Sequence, residues 1–263
     1  MSGGWTLTAL RYASRSTSRA DVFLRYAEYR EPDGPQEMAY YLWVLRNGAR
    51  TIVIDTGFSA AGGGRRGREF LVEPLTALAR IGVEPGAVDL LVVTHLHYDH
   101  TGHLDAFAST PTAVSRSEVE FWTGPLATRA QFAAHVEPGE VRALADRAAV
   151  DGGEVTLIEG EHELAPGVVS IEVGGHSPGQ TILAVEGESG PILLTSDAMH
   201  FYEEVERDRP CSILHDLARV YGAYDTIREH ADRGARVVAG HDPLVMDRFP
   251  RLESDPELGV LVA

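Results

Sequence analysis

The sequence contains a single cysteine, Cys211, among 263 residues. One thiol cannot form a disulfide within the chain, so a disulfide-stabilised fold is excluded and nothing points to secretion. The sequence also lacks any run of about 18 apolar residues, which a membrane-spanning helix needs. Residues 1–20 contain no apolar core of a signal peptide. We therefore expect a cytoplasmic protein without a membrane segment.

Basic residues are scarce relative to acidic ones. Lysine and arginine together number 23 against 39 aspartates and glutamates, which gives a formal net charge of -16. A surface this negative repels phosphate backbones, so we expect no binding of nucleic acid. Hydrophobic residues make up 44% of the chain, enough for a sizeable core, and the length suits one large domain or two small ones.

The first half of the chain is predicted to be mostly β-structure. Strands are expected over Ala39–Leu45 and Arg50–Ile54, joined by a hairpin-like turn at Arg46–Gly48. A helix is predicted over Glu69–Ile81 because its apolar residues recur at roughly helical spacing. The glycine-rich stretch Ala61–Gly67 indicates a flexible loop.

The second half changes from helices back to strands. Residues 115–150 are rich in Ala, Glu and Arg and predict two or three helices, which we interpret as an insertion or cap. A later helix is predicted over Ile213–Ala231. Strands followed by helices in each half predict two packed sheets with helices outside. The strands predicted here are Val155–Ile158, Val168–Val173, Thr181–Val185, Ile192–Leu194 and Arg236–Ala239.

A short apolar run, Val88–Thr94, predicts a buried strand that ends at a dense group of polar residues. Within six positions it offers His95, His97, Asp99 and His100. Alternate residues of an extended chain share a side, so the first three would project together. Imidazole nitrogen and carboxylate oxygen suit zinc, iron, manganese or cobalt. Burying the four without a metal would leave polar groups unsatisfied, so we predict a metal site.

Three further polar residues follow predicted strands. His176 lies in a Gly/Pro loop, Asp197 comes just after an apolar run, and His241 follows the last predicted strand. Each alone is weak, because a turn residue or a helix cap would look the same. Together with the hexapeptide at 95–100 they supply seven candidate ligands, which is enough for two ions.

The ordered motif set resembles the metallo-β-lactamase-fold hydrolases, and among them most resembles the N-acyl homoserine lactonase group. The resemblance extends from about Tyr40 to His241. It implies an α/β fold, a four-layer αββα sandwich, built as one domain over residues 1–263 with residues 115–150 as a helical insertion or cap. The motifs are HLHYDH at 95–100, GHSPGQ at 175–180, SD at 196–197, GHD at 240–242, and the early turn DTG at 55–57.

The same resemblance implies a role for each ligand. It implies two divalent ions, zinc in the first place with iron, manganese or cobalt as alternatives. A hydroxide bridging the ions would open a lactone or other ester, and Asp99 would pass a proton to the leaving alkoxide. We expect a small-molecule substrate and a monomer or homodimer. By likeness His95, His97 and His176 hold one ion, Asp99, His100 and His241 hold the second, and Asp197 bridges them.

One position departs from the lactonase pattern. Those enzymes usually carry a tyrosine three residues after the bridging aspartate, where it hydrogen-bonds the substrate carbonyl. Here that position is His200. Either His200 donates a similar hydrogen bond or Tyr202 reaches into the site. The candidate catalytic residues are therefore Asp99, His200 and Tyr202.

Side chains outside the motifs have competing interpretations. Asp55 is expected to orient a ligand histidine. Arg65, Arg66 and Arg68 could attract an anion, but a solvated loop is the simpler interpretation. Several aromatic residues could line an apolar substrate pocket or belong to the core. These aromatic residues are Trp43, Phe121, Trp122, Phe132 and Phe201.

Single residues distinguish this chain from enzymes that catalyse other reactions on the same fold. A β-lactamase usually has cysteine where Asp197 stands, and flavin-linked di-iron oxidoreductases usually have a carboxylate in place of His97. A thioester hydrolase of the glyoxalase II type shares the ligand set and stays open, although basic residues for glutathione are not evident near the C-terminus. A non-enzymatic metal-binding protein also stays open, but the presence of all seven ligands favours an enzyme.

Overall fold

The structure, a computed structural model, describes residues 4–48 and 50–262. In these residues two β-sheets pack together and helices cover the outside, which is the α/β, four-layer αββα arrangement predicted. No helix in the described ranges is long and apolar enough to cross a membrane.

The strands and helices have the following bounds. The strands are β1 (Thr6–Ser18), β2 (Pro35–Arg46), β3 (Thr51–Ile54), β4 (Glu69–Phe70), β5 (Leu90–Val93), β6 (Thr112–Ser115), β7 (Val155–Ile158), β8 (Glu161–Ala165), β9 (Val168–Glu172), β10 (Thr181–Gly187), β11 (Gly190–Ser196), β12 (Arg236–Ala239) and β13 (Gly259–Val262). The helices are α1 (Arg19–Val22), α2 (Ala60–Arg65), α3 (Pro74–Arg80), α4 (Tyr98–Thr101), α5 (Arg116–Thr123), α6 (Ala130–Ala133), α7 (Pro138–Ala148), α8 (Tyr202–Arg207), α9 (Leu217–Asp232) and α10 (Val245–Arg248).

The larger sheet has the order β13-β1-β2-β3-β5-β6-β7, and β4 pairs with β1. Strands β3, β5, β6 and β7 run parallel, so their carboxyl ends lie at one edge. Strands β2 and β3 form the predicted antiparallel hairpin, with Arg46 opposite Thr51. Its turn includes position 49, which lies outside the described residues.

The smaller sheet has the order β12-β11-β10-β9-β8. Its strands β11 and β12 are parallel neighbours, while β8 to β11 run antiparallel. The parallel pair therefore ends at one edge, where Asp197 and His241 follow. Loops at strand ends on a rigid sheet are a usual position for active sites.

Two apolar clusters hold the layers together. The first joins Leu7 and Trp43 of the larger sheet to Leu183 of the smaller sheet and continues to Tyr224 of α9. The second covers the other face of the larger sheet with α3, α5 and α7, and it includes Leu78, Trp122 and Leu144. Burial of apolar surface on both faces explains why the central strands are short, nearly continuous apolar runs.

The stretch predicted as one helix over Glu69–Ile81 is two elements, so that prediction was wrong at its start. Glu69 and Phe70 pair with β1 as strand β4, and the helix begins only at Pro74. Proline is favourable at a first helical position, and the Glu73 side chain accepts a hydrogen bond from the Thr76 amide as the N-cap. The apolar residues do recur at helical spacing, but this spacing continues across the boundary between β4 and α3.

The prediction of a flexible loop over Ala61–Gly67 was also wrong in part, because α2 covers Ala60–Arg65. Ser59 caps that helix by accepting a hydrogen bond from the Gly62 amide at 3.1 Å. The helices expected over residues 115–150 are confirmed as α5, α6 and α7. Strands β1, β6, β8 and β13 were not predicted, although β1 is the longest of the described strands.

Candidate metal centre

The hexapeptide His95–His100 lies just past the carboxyl end of β5. The chain stays extended through His97, which is the N-cap of α4. Asp99 and His100 lie in the single turn of α4. The prediction that Asp99 projects with His95 and His97 by strand alternation is therefore wrong. All four candidate ligands are buried, none exposing more than 8% of its surface.

A glycine loop delivers His176 to the same place. Gly175 has φ +91°, and an added Cβ would lie 2.6 Å from the amide nitrogen of Val220 on α9. Only glycine fits such a conformation and contact. The Gly175 carbonyl also accepts hydrogen bonds from the amides of His215 and Asp216, which join this loop to the start of α9.

Asp197 and His241 arrive from the parallel strands β11 and β12. Gly240 precedes His241, and a Cβ there would lie 2.4 Å from the carbonyl oxygen of Ser196. The two strand ends therefore touch, which is possible because position 240 has no side chain. This contact places the Asp197 carboxylate beside the His241 ring.

Asp197 lies at the middle of the imidazole cluster. Its carboxylate is close to imidazole rings that follow strands of both sheets. The Oδ2 atom is 3.1 Å from Nε2 of His241, 3.3 Å from Nε2 of His200, 3.5 Å from Nε2 of His176 and 3.8 Å from Nε2 of His95, and Oδ1 is 3.4 Å from Nε2 of His100.

Six of the seven predicted ligands form two groups of three, and Asp197 is the seventh. In each group the candidate ligand atoms lie within 4.8 Å of one another. The first group is His95, His97 and His176, and the second is Asp99, His100 and His241. These two groups have the same members as the ligand sets that the resemblance implies, and two further groups that meet the same distance limit include Asp197: His95, His100 and Asp197, and His176, Asp197 and His200.

Several buried polar atoms at the centre lack a hydrogen-bond partner within the described residues. They are Nδ1 of His200 and three atoms of predicted ligands, namely Nε2 of His95, Nε2 of His100 and Oδ1 of Asp197. A buried donor or acceptor without a partner is costly, and such atoms are uncommon in folded proteins. Three of these four atoms belong to predicted ligands, and imidazole with carboxylate is the donor set of zinc and related divalent ions. The residues present thus fit the binding of divalent metal.

Hydrogen bonds at the far side of three rings fix which nitrogen faces the centre. His100 donates from Nδ1 to Asp55 at 2.7 Å. His241 donates from Nδ1 to the Ala39 carbonyl at 2.7 Å, and His176 donates from Nδ1 to the Ile213 carbonyl at 2.9 Å. Each bond leaves Nε2 as the nitrogen that faces the centre, which is the usual arrangement of metal-binding histidines.

Asp55 has the orienting position expected for it. Its carboxylate accepts hydrogen bonds from the amide and the hydroxyl of Thr94, both at 2.8 Å, in addition to the His100 ring. The residue is fully buried and has φ +61°. Burial raises the pKa of Asp55, while His100 and Thr94 oppose that rise.

The local environment sets the protonation of the central groups. Burial lowers the pKa of His95, His97 and His176 well below the usual value, which favours the neutral rings that bind metals. For Asp197 burial acts in the opposite direction, but the surrounding imidazoles, His241 first, hold its pKa well below the usual range. Asp197 is therefore ionised, and His95, His97 and His176 are neutral.

Glu118 is a supporting residue that the sequence analysis missed. It lies on α5, is fully buried, and accepts hydrogen bonds from the Leu96 amide (2.9 Å), the Gly179 amide (2.7 Å), the Ser177 hydroxyl (2.5 Å) and the Trp122 indole (2.8 Å). It thereby joins the loop of His95 and His97 to the loop of His176. No sequence signal separates it from the surface glutamates of the same helix.

The two proposed substitutes for the lactonase tyrosine have different surroundings. The structure brings His200 to the centre, where it lines the cavity, but it does not bring Tyr202 there. The Tyr202 hydroxyl donates to the Val237 carbonyl at 3.1 Å, and Arg248 lies 3.5 Å over its ring. The idea that Tyr202 reaches into the site is thus contradicted by the geometry. Burial raises the pKa of Tyr202 to about 12.

The open side of the centre is a cavity whose walls come from both halves of the chain. A smaller hollow adjoins it and is lined by Trp122 and Phe132, as considered for a substrate pocket. Phe121 packs edge-on against both of those rings. Trp43 and Phe201 belong instead to the apolar clusters of the core.

Proteins named N-acyl homoserine lactonase have sequences similar to that of this chain. An N-acyl homoserine lactonase from a Bacillus species is 35% identical over 134 residues, which are 51% of this chain and 47% of that protein. The N-acyl homoserine lactonase AttM of Azorhizobium caulinodans is 30% identical over 185 residues, 67% of this chain and 65% of that protein. The chain thus spans about half the length of the first of these relatives.

Solved structures share the fold. A mutant of AiiA from B. thuringiensis with N-decanoyl-L-homoserine bound superposes with a TM-score of 0.76 at 22% identity, covering 97% of this chain and 99% of that one. The hydrolase AbOPH superposes with a TM-score of 0.72 at 19% identity, covering 100% and 96%. The sequence model of the metallo-β-lactamase superfamily matches residues 36–242. This chain belongs to the metallo-β-lactamase superfamily.

Proposed function

We propose that this protein is a metal-dependent hydrolase that opens the ring of a lactone, an internal ester. The observation that carries the proposal is the convergence of seven buried ligands, with unpaired polar atoms, on one centre at the base of a cavity. The relatives named N-acyl homoserine lactonase support the choice of a lactone. The first substrates to test are therefore N-acyl homoserine lactones.

The proposed ligands follow the two groups described above. His95, His97 and His176 would hold one divalent ion, Asp99, His100 and His241 would hold the other, and Asp197 would bind both. Two such ions, zinc being the first choice for this donor set, would supply a nucleophile from water near neutral pH and polarise the substrate carbonyl.

Asp99 is the proposed proton carrier. Its side chain lines the cavity, and the Tyr12 hydroxyl donates to its backbone carbonyl at 3.1 Å, which holds this turn of α4 in place. In ester hydrolysis the single bond between the carbonyl carbon and the alkoxy oxygen breaks, and the leaving alkoxy oxygen needs a proton. A carboxylate that takes up the proton of the attacking water can deliver it to that oxygen. For a lactone the leaving oxygen stays tethered, and the product is a hydroxy acid.

His200 is the proposed hydrogen-bond donor to the substrate carbonyl. Its Nε2 lies 3.3 Å from Asp197 Oδ2 and its Nδ1 lies 3.3 Å from Glu204 Oε1. Burial lowers the pKa of His200, but Cys211, Glu204 and Asp197 together raise it well above the usual value. The ring is therefore held as an N–H donor at the edge of the centre, a suitable position for stabilising developing negative charge.

We further propose a single domain, found in the cytoplasm. Helices α5 and α7 of residues 115–150 contribute Trp122 and Leu144 to the core of the larger sheet. The same segment supplies His135 to the wall of the cavity. We therefore expect its removal to disrupt folding as well as substrate binding. The cytoplasmic location rests on the single cysteine, Cys211, which is free and buried.

Two measurements test the proposed function. The metal content of the purified protein should approach two ions per chain. Hydrolysis of an N-acyl homoserine lactone, a linear ester and a glutathione thioester should then be compared on the same preparation. We expect the lactone to have the highest kcat/KM. Turnover of the thioester alone would favour a glyoxalase II-type enzyme, and metal without turnover of any member would favour a non-enzymatic metal-binding protein.

A further inference from the structure

Two arginines on the cavity wall have positive charge that no carboxylate of the described chain neutralises. Arg15 lies near the end of β1, and its guanidinium forms no hydrogen bond or salt bridge within residues 4–48 and 50–262. Arg68 donates from Nε to the Tyr40 hydroxyl at 2.8 Å and from Nη1 to the Arg66 carbonyl.

The neighbouring Arg66 shows what a structural arginine looks like at this site. It also lines the cavity, but its guanidinium pairs with Glu137 and donates to the carbonyls of Gly62 and Ala134. It lies 4.0 Å over the ring of Tyr98 as well. The charge of Arg66 is therefore neutralised by Glu137, whereas Arg15 and Arg68 form no salt bridge with a carboxylate of the described residues.

Strand pairing brings the two unneutralised arginines together. The β1–β4 ladder pairs Ala13 with Phe70 and Ser14 with Glu69. Arg15 directly follows Ser14 and Arg68 directly precedes Glu69, so both arginines flank the same end of this ladder, and both line the same cavity. Like charges on neighbouring strands repel each other. An anion between them would remove that repulsion.

We propose that Arg15 and Arg68 bind an anionic group of the substrate, a carboxylate or a phosphate, beside the hydrolytic centre. The planar guanidinium fork matches both of these groups. The acidic side chains on the same wall, Asp99 and Asp197, are already engaged as proposed metal ligands. This inference rests on the proposed function and narrows its substrate class to lactones or esters that carry negative charge.

The test compares three homoserine lactones whose acyl chains have the same length and end in a methyl, a carboxylate or a phosphate group. With the metal-loaded wild-type protein, kcat/KM for an anionic lactone should exceed that for the neutral one by about tenfold or more. The advantage should shrink at high salt, because the arginines are only partly buried. Comparison of kcat/KM between the carboxylate lactone and the phosphate lactone shows which anionic group the site prefers.

Substituting each arginine tests whether Arg15 and Arg68 cause the preference for anionic lactones. Arg15→Gln and Arg68→Gln should each lower the anionic-to-neutral ratio of kcat/KM by about tenfold, since each removes a charge-assisted contact. Arg65→Gln is the matched control: Arg65 carries the same charge nearby, but its side chain is 58% exposed, pairs with Glu137 and does not line the cavity. That control should leave the ratio unchanged.

The outcomes separate this inference from the proposed function. If the wild-type protein hydrolyses neutral and anionic lactones equally, or keeps its preference in both arginine variants, the inference is overturned while the hydrolase stands. If no lactone is hydrolysed, the proposed function fails, and calorimetric binding of the ring-opened anionic product to wild type and Arg15→Gln still tests the arginines. Arg15→Gln breaks no side-chain hydrogen bond or salt bridge of the described residues, so it tests the inference even if Arg68→Gln folds poorly.

Discussion

At the scale of single residues, the centre depends on side chains whose partners lie far away in the sequence. Each ligand ring is oriented by a group from another element, such as the Ala39 carbonyl for His241 and the Ile213 carbonyl for His176. The ligands themselves could be predicted because their motifs are local and dense. Their orienting partners could not, because a backbone carbonyl carries no residue-type signal.

The central carboxylate gives the first prediction. Asp197→Asn should lower the metal content and reduce kcat for the lactone by roughly a hundredfold or more, because a neutral amide is a poor ligand between two cations. Metal analysis of the purified variant and steady-state kinetics measure both effects. Wild-type kcat with both ions retained would remove Asp197 from the centre. Asp225→Asn, an exposed position on α9, is the control for surface charge.

The second prediction separates His200 from the metal ligands. His200→Phe removes the proposed donor to the carbonyl and should lower kcat about 10- to 100-fold while leaving the metal content as in wild type. Tyr202→Phe is the control, because its hydroxyl bonds Val237 outside the cavity, and it should keep wild-type kcat. A loss of metal in His200→Phe would instead make His200 a ligand.

At the scale of elements, the helix α5 links two ligand loops through Glu118. This predicts that Glu118→Gln destabilises the fold by about 2 kcal/mol, because an amide cannot accept all the hydrogen bonds that the buried carboxylate accepts. It should also weaken metal binding about tenfold, since the loops of His97 and His176 lose their common support.

Chemical denaturation and a competitive metal titration measure these two effects. Glu120→Gln is the matched control, because Glu120 lies two residues further along the same helix and is exposed. If Glu118→Gln lost stability but bound metal as tightly as wild type, the support of the ligand loops would not depend on this carboxylate.

Strands and helices could be predicted from the sequence where one pattern had no competing boundary or cap signal. The apolar run before the hexapeptide is strand β5, and the helices of residues 115–150 are present. Predictions failed where a boundary or a cap overrode the pattern: Pro74 starts α3 later than the apolar spacing implied, and Ser59 starts a helix within a glycine-rich stretch. Strand β1 escaped prediction because its polar second half pairs along β2 and β4, and that pairing is non-local.

At the scale of the whole molecule, the fold brings the carboxyl ends of strands from both sheets to one edge. The family motifs predicted this architecture as a unit, because their order along the chain follows the order of those strand ends. Charge balance was less informative. The net charge of -16 describes the chain as a whole, whereas the cavity wall carries the unneutralised Arg15 and Arg68. A sum over the sequence has no information about where the few basic residues gather.

The last prediction concerns the stability of the whole chain. The centre concentrates imidazoles and two carboxylates in the interior, with polar atoms left unpaired, so bound metal should stabilise the folded state over the unfolded one. At a metal concentration about 100 times Kd the gain is about 2.7 kcal/mol, which for a chain of this size raises Tm by about 5–10 °C. A chelator should therefore lower Tm by that amount, and zinc should restore it. In Asp197→Asn the shift caused by the chelator should shrink, because the residue that joins the two ligand groups is gone. A Tm that is the same with chelator and with zinc would mean that the fold does not use the ions.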